Sequence, residues 1–315
     1  LRFDHSEGHV YLPVEQIDSL YVMNSMQLNT NLLEFFSKKH IPIHFFNYYG
    51  FYTGSFIPNA YQVSGHVLIR QALAANQLEQ RMTLAKEFLR GAHSNMMKNI
   101  RKIQRDFSSP QFNEITEEIK EEMKKIRSAS SIAQLMGIEG VVRRKYYQII
   151  DQAMLQRNPD FVMSKRLKRP PNNRMNALIS FVNSLVYTTV LSEIYHTHLN
   201  PTISFLHEPT ERRYSLSLDI SEIFKPLLAD RLIFKLVNAK ILKRQSFDQM
   251  SGICYLNEDS KRKVLSHYSD RLNTTIKHRT LNKRVSYRRL IRLECYKLVK
   301  HLLGEKKYIS FKIWW

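Results

Sequence analysis

His207, Asp219 and Glu222 fall within sixteen residues of one another, in the stretch FLHEPTERRYSLSLDISEIFKPLLADRLIF, residues 205–234. The two acids form a D-x-x-E pair, and on a helix residues three apart share a face. Two carboxylates on one face suit a hard divalent cation such as Mg2+ or Mn2+. The pair has an ordinary reading too: Asp219 lies near a predicted helix start, where the macrodipole favours an acid, and Glu222 is an exposed neighbour. Imidazole suits Mn2+ better than Mg2+, yet a lone loop histidine such as His207 more commonly only hydrogen-bonds. Glu139 stands in MGIEGVVRRKYY, among Leu135, Met136, Ile138, Val141 and Val142. A buried carboxylate without a partner is costly, so it needs a cation or hydrogen bonds. Arg143 and Arg144 follow it and offer an ion pair. Two or three carboxylates and a histidine are the inventory of a metal-dependent nuclease.

These residues need elements to hold them. The first sixty residues are rich in β-branched and aromatic residues, broken by Gly50, Gly54 and Pro58, and read as strands over 9–23 and 41–58. A helix near 28–39, capped by Thr30 or Asn31, interrupts them. From 64 onward apolar residues recur at helical spacing: 64–107, a charged segment at 113–127, a helix capped by Ser130 or Ser131, and an apolar helix from Met175. Pro170 and Pro171 make 165–174 a loop. A further helix is predicted over about 217–240, with two or three more to the end. The fold class is α+β, mostly α: a small β-rich N-terminal domain, 1–63, then a larger all-helical domain, 64–315.

The 315 residues carry a net charge of +20, unevenly placed. Residues 1–60 hold three Lys or Arg against five acids, whereas the last 55 hold sixteen against three. That asymmetry points to a polyanion, nucleic acid above all, rather than to solubility alone. Two cysteines, Cys254 and Cys295, have no metal-like spacing, which fits a reducing cytoplasm. No run of eighteen apolar residues occurs and no signal peptide is expected.

The motifs occur in a telling order: G-I-E-G followed by R-x-x-Y-Y, then R-P-P-N-N with N-A-L-I-S-F, then F-L-H, then S-L-x-L-D-I-S-E-I-F-K-P with A-D-R. Together they resemble the CRISPR-associated integrase of spacer acquisition, the first of the numbered Cas families. IPIHFFNYYGFYTGSFIP also resembles the family's N-terminal strand pair. The resemblance implies that Glu139, His207 and Glu222 bind Mg2+ or Mn2+, with Asp219 as a catalytically important acidic neighbour. Lys225 departs from the more usual Arg before the proline, a change expected to leave catalysis intact. The resemblance further implies a homodimer formed through the β-rich domain, and a small partner of the second Cas family. The implied activity is metal-dependent DNA cleavage, and insertion of protospacer DNA into the CRISPR repeat by 3′-hydroxyl attack on a phosphodiester, in a prokaryotic cytoplasm without a membrane.

Arg143, Arg144, Lys165, Arg166, Lys168 and Arg169 are candidates for phosphate contacts, which position DNA without reading sequence. Arg288, Arg289 and Arg292 are predicted to form one basic helical stripe for the DNA backbone, because few local acids offset them. Two other function classes stand beside the integrase: a non-catalytic architectural DNA-binding protein, and an unrelated nuclease or transposase, which would commonly carry its acids on a mixed sheet rather than on helices.

Overall fold

The computed structural model describes residues 1–5, 8–59, 62–167, 170–209, 211 and 214–314, without the side chains of Phe3 and His5. The chain divides into two compact units, Leu1–Tyr61 and Gln62–Trp315. Strands dominate the first unit and helices the second, in the mostly helical α+β class.

In the first unit, β1 (Arg2–His5) and β2 (Gly8–Tyr11) form an antiparallel hairpin. β3 (Leu20–Val22) follows, then α1 (Thr30–Lys38), β4 (Ile43–Phe46) and β5 (Tyr52–Phe56). β4 is central, parallel to β3 and antiparallel to β5. Asn29 caps α1 with a 2.9 Å bond from the Leu32 amide, one position before the caps expected. Val22, Phe36, Ile41 and Ile43 form the core, with one face of α1 laid on the sheet.

In the second unit, the long segment expected over 64–107 is two helices, α2 (Gly65–Asn76) and α3 (Leu78–Asp106), broken at Gln77. Next come α4 (Gln111–Lys124), α5 (Ile132–Arg157) and α6 (Arg174–Tyr195). Ser131 caps α5 and Asn173 caps α6. By length and composition α6 could cross a membrane, but most of it is buried inside this unit. It is the central core helix.

The single helix expected over 217–240 is α7 (Ser215–Lys225), a widened π turn (Pro226–Asp230) and α8 (Arg231–Asn238). Pro226 explains the break, since it has no N–H to donate back to residue 222 and its ring crowds that carbonyl. Carbonyls at the break are satisfied from α3: Asn95 donates to Ile223 O at 2.9 Å and Asn99 to Pro226 O at 2.7 Å.

The chain then makes a hairpin of β6 (Phe247–Met250) and β7 (Ile253–Leu256), α9 (Glu258–Asn273), a hairpin of β8 (Thr275–Lys277) and β9 (Arg284–Ser286), and α10 (Tyr287–Leu302). The unit is thus mainly rather than wholly helical. The turn of β6–β7 is Ser251-Gly252, with φ of 51° and 78°. A two-residue turn with both φ values positive matches the strand twist and favours Gly. α3 packs on both α5 and α7, and α7 on α6, so the acids predicted on α5 and α7 share one neighbour.

Candidate active site

Glu139 and Arg143 lie one turn apart on α5, and Arg143 Nε donates to Glu139 Oε1 at 2.6 Å. The other arm of the guanidinium donates to Glu222 Oε2 on α7. Lys225, one turn after Glu222, donates to its Oε1 at 2.6 Å. Two acids and two cations therefore form one balanced cluster. Burial works against the negative charge of Glu222, but Arg143, Lys225 and His207 outweigh it and hold its pKa below the ordinary carboxylate value. For Arg143, burial likewise opposes the charge, and Glu222 with Glu139 more than offsets it.

His207 and Asp219 form a second pair beside the first. Asp219 is fully buried. Its Oδ2 accepts the amides of Phe205 and Leu206 at 2.7 and 2.9 Å, and its Oδ1 accepts the His207 amide at 2.9 Å. The same Oδ1 binds His207 Nδ1 at 2.8 Å. One carboxylate thus folds the 205–207 loop and orients the imidazole, leaving Nε2 as the nitrogen a cation would use. Arg81 donates to Phe205 O at 2.9 Å, and Gln71 to Asn200 O and Ile203 O, so α2 and α3 brace the loop from outside.

Several sequence readings change here. Glu222 is buried rather than an exposed neighbour, and Asp219 is a loop-organising acceptor rather than a residue at a helix start. Lys225 touches Glu222 directly, so its identity bears on the site after all. Among the described residues, no three His, Cys, Asp or Glu side chains are gathered closely enough to hold a metal ready-made. Glu139 and Glu222 meet across Arg143, while His207 faces Asp219. The donor chemistry nonetheless fits a hard divalent ion: two carboxylates already bridged by a cation, and an imidazole fixed by an acid.

The expected DNA contacts divide into two groups. Arg144, Lys165 and Arg289 are exposed. Arg143 is committed to the two acids, so it is not the free phosphate contact expected. Arg166 is folded against Leu167 O, Asn176 and Ser180, and is a loop brace. Arg292 donates to the buried Glu193 of α6 at 2.6 Å, and Arg288 lies 3.8 Å from the same acid. The free stripe expected on α10 is therefore reduced to Arg289, because an acid distant in sequence neutralises its neighbours. Lys168 and Arg169 lie outside the described residues. A basic cleft missed by the sequence reading runs along α3, lined by Arg90, Lys98, Arg101 and Lys312 over Met97 and Met123. Three of these cations come from α3 at spacings of eight and three, a helical face legible in principle.

Residues 1–270 match the family described as CRISPR associated protein Cas1. The chain belongs to the Cas1 family. It is 48% identical to the CRISPR-associated endonuclease Cas1 3 of Thermodesulfovibrio yellowstonii, over 96% of this chain and 91% of that protein. It is 46% identical to the CRISPR-associated endonuclease Cas1 of Clostridium perfringens, over 100% and 94%. Among solved structures, a Cas1 protein from Thermotoga maritima superposes with a TM-score of 0.87 at 40% identity, covering 98% of this chain and 94% of that one. A casposase bound to integration product shares the Cas1 fold, with a TM-score of 0.82 at 19% identity, covering 94% and 81%.

Proposed function

We propose that this Cas1-family protein is a metal-dependent DNA endonuclease and integrase of CRISPR spacer acquisition. The observation that carries the reading is the meeting of Glu139 from α5 and Glu222 from α7 across one cation, beside an imidazole held by Asp219. Relatives at 46–48% identity are named CRISPR-associated endonucleases, which supports the activity. The acids sit on helices, which favours this reading over a sheet-based transposase.

Glu139, Glu222 and His207 would hold the cation, Mg2+ or Mn2+. When bound, it supplies Lewis-acid charge for phosphoryl transfer. The chain's own groups set the stage. Asp219 fixes the imidazole and its loop. Lys225 and Arg143 place positive charge where non-bridging phosphate oxygens gain negative charge. In integration the 3′-hydroxyl oxygen of the incoming DNA bonds to phosphorus in the repeat, and the P–O3′ bond there breaks. The hydroxyl proton passes to the leaving 3′-oxygen, so the exchange needs no external energy source. In cleavage, water replaces the 3′-hydroxyl.

Arg144, Lys165, Arg289 and the α3 cleft serve as phosphate contacts. Val10, Tyr11, Leu12 and Tyr48 are exposed apolar groups on the N-terminal unit, which supports a homodimer through it. A small protein of the second Cas family is the partner, as in the Cas6-RT-Cas1–Cas2 complex, whose fold this chain shares, and the setting is a prokaryotic cytoplasm.

Cleavage of branched duplex DNA with Mn2+ tests the activity in wild type, Glu139→Ala, His207→Ala and Glu222→Ala. Cleavage by wild type alone, with duplex binding intact in all four, is expected. Wild-type activity in any variant overturns the residue assignment. Binding without cleavage by wild type under Mg2+ and Mn2+ favours an architectural role.

A further inference from the structure

Arg143 occupies the place a metal would take. Its planar fork reaches Glu139 with one arm and Glu222 with the other. The second oxygen of Glu222 is taken by Lys225, so neither acid is idle. A divalent ion entering beside an undisturbed guanidinium would meet its repulsion and find these carboxylate oxygens engaged. The acids and His207 also do not converge as a three-ligand set among the described residues. Metal binding thus requires a rearrangement, and Arg143 is the group in the way.

Where the guanidinium can go is suggested by His93 on α3, the helix that packs on both α5 and α7. Its side chain is 1% exposed. Both ring nitrogens are buried with no hydrogen-bond partner among the described residues. Buried unpartnered polar groups are uncommon and costly. Burial first, and the charge of Arg143 second, lower the His93 pKa to about 3, with Glu222 acting the other way. A neutral imidazole carries on one ring nitrogen a lone pair that can accept from a guanidinium. On α3, His93 lies between Phe88, whose ring is 6.4 Å from that of Phe205 in the His207 loop, and Asn95 and Asn99, whose side-chain amides reach Ile223 O beside Glu222 and Tyr146 OH of α5.

We propose that Arg143 is the resident counter-ion of the metal-free site, and that divalent-metal binding moves its guanidinium from Glu139 and Glu222 to the vacant acceptor of His93. The site then has two arrangements of one cation. Without metal, Arg143 prevents two carboxylates from facing each other unneutralised. With metal, Arg143 is retained nearby rather than expelled, so positive charge is kept for phosphate. This rests on the reading of Glu139 and Glu222 as metal ligands, and the test separates the two ideas.

Mn2+ binding is measured by calorimetry on full-length wild type, Glu222→Gln, Arg143→Gln and His93→Leu, with melting temperatures recorded in chelator and in Mn2+. Arg143→Gln is expected to melt lower in chelator and to bind Mn2+ about tenfold tighter, because the competitor is gone. His93→Leu is expected to bind several-fold more weakly, because the displaced guanidinium has no acceptor. Equal or weaker binding by Arg143→Gln overturns the proposal. Unchanged binding by His93→Leu overturns the role of His93. If Glu222→Gln binds Mn2+ as wild type does, the metal assignment itself fails, whatever Arg143 does. Should Arg143→Gln not fold in either condition, Arg143→Lys carries the test. A lysine cannot fork across both acids, so it must bind Mn2+ more tightly than wild type, and failure to do so overturns the proposal.

Discussion

Single residues in this protein are explained by what they hold. Asp219 accepts three backbone amides and the His207 imidazole. Asp219→Asn keeps the shape but replaces one acceptor oxygen by a donor that faces N–H groups. Loss of such a supporting acid costs about 10- to 100-fold in metal affinity, and we predict that range for Mn2+ binding, with local loosening of 205–207 seen by hydrogen exchange. A second residue-scale prediction concerns pH. His44 on β4 is fully buried, and burial lowers its pKa to about 3. The folded value lies below the unfolded value, so as pH falls the unfolded chain takes up the proton first. The stability tied to a neutral His44 is present above about pH 6.5 and is lost as pH falls toward 3, at about 1.4 kcal/mol per pH unit. Urea unfolding of the N-terminal unit at pH 6.5 and pH 5 should show a loss larger by about 2 kcal/mol in wild type than in His44→Gln; equal losses would contradict it.

At the scale of elements, the segment after α10 is stitched along α3. Tyr308 OH and the Phe311 amide both donate to the buried Glu294, at 2.6 and 2.9 Å, and the Ile313 amide donates to Asn95 at 2.9 Å. Phe311 stacks on Phe224 of α7 at 5.8 Å. The close approach depends on Gly91, where a Cβ would lie 2.7 Å from Ser310 Oγ and 2.8 Å from its Cβ. Gly91→Ala should therefore push the segment off α3 and cost about 1–3 kcal/mol, read as a lower urea midpoint. On α10, Arg292→Ala leaves the 1%-exposed Glu193 with a weakened partnership. Breaking such a buried pair costs about 3–5 kcal/mol, so this variant should lose stability before it loses DNA affinity. Arg289→Ala should do the reverse.

Across the whole molecule, charge organises function. The excess of cations over acids belongs entirely to residues 61–315, and some of those cations are internally paired. Only the exposed ones can release counterions from DNA. Each lost phosphate contact flattens the slope of log affinity against log salt by about 0.9 for duplex DNA. The double variant Lys98→Ala, Arg101→Ala in the α3 cleft should lower the slope by about 1.8 on that basis. Arg288→Ala should leave it nearly unchanged. A salt titration of duplex binding distinguishes them. Sedimentation at tens of micromolar, roughly where a stable dimer persists, should show a dimer, and Tyr11→Lys with Tyr48→Lys should shift it toward monomer.

Period and composition determined the coarse plan. β-branched and aromatic residues over 1–60 specify strands because they fit a pleated surface, and apolar residues at helical spacing thereafter specify helices. Glu139 stood out because a carboxylate in an apolar helix must find a partner, and the order of short motifs carried the family resemblance. Local rules also contained signals that pointed to breaks, namely Pro226 after Lys225 and Ser251-Gly252 between β6 and β7. Partner choice was another matter. Arg143 could have met solvent, DNA or an acid, and only the packing of α5 beside α7 through α3 brought Glu222 to its second arm. Arg288 and Arg292 read as a free stripe because Glu193 is about a hundred residues away in sequence and one helix away in space. Electrostatic energy depends on distance in three dimensions and on the water excluded between charges. Residue type and spacing thus named the groups able to do the chemistry, and the tertiary fold decided which of them face one another.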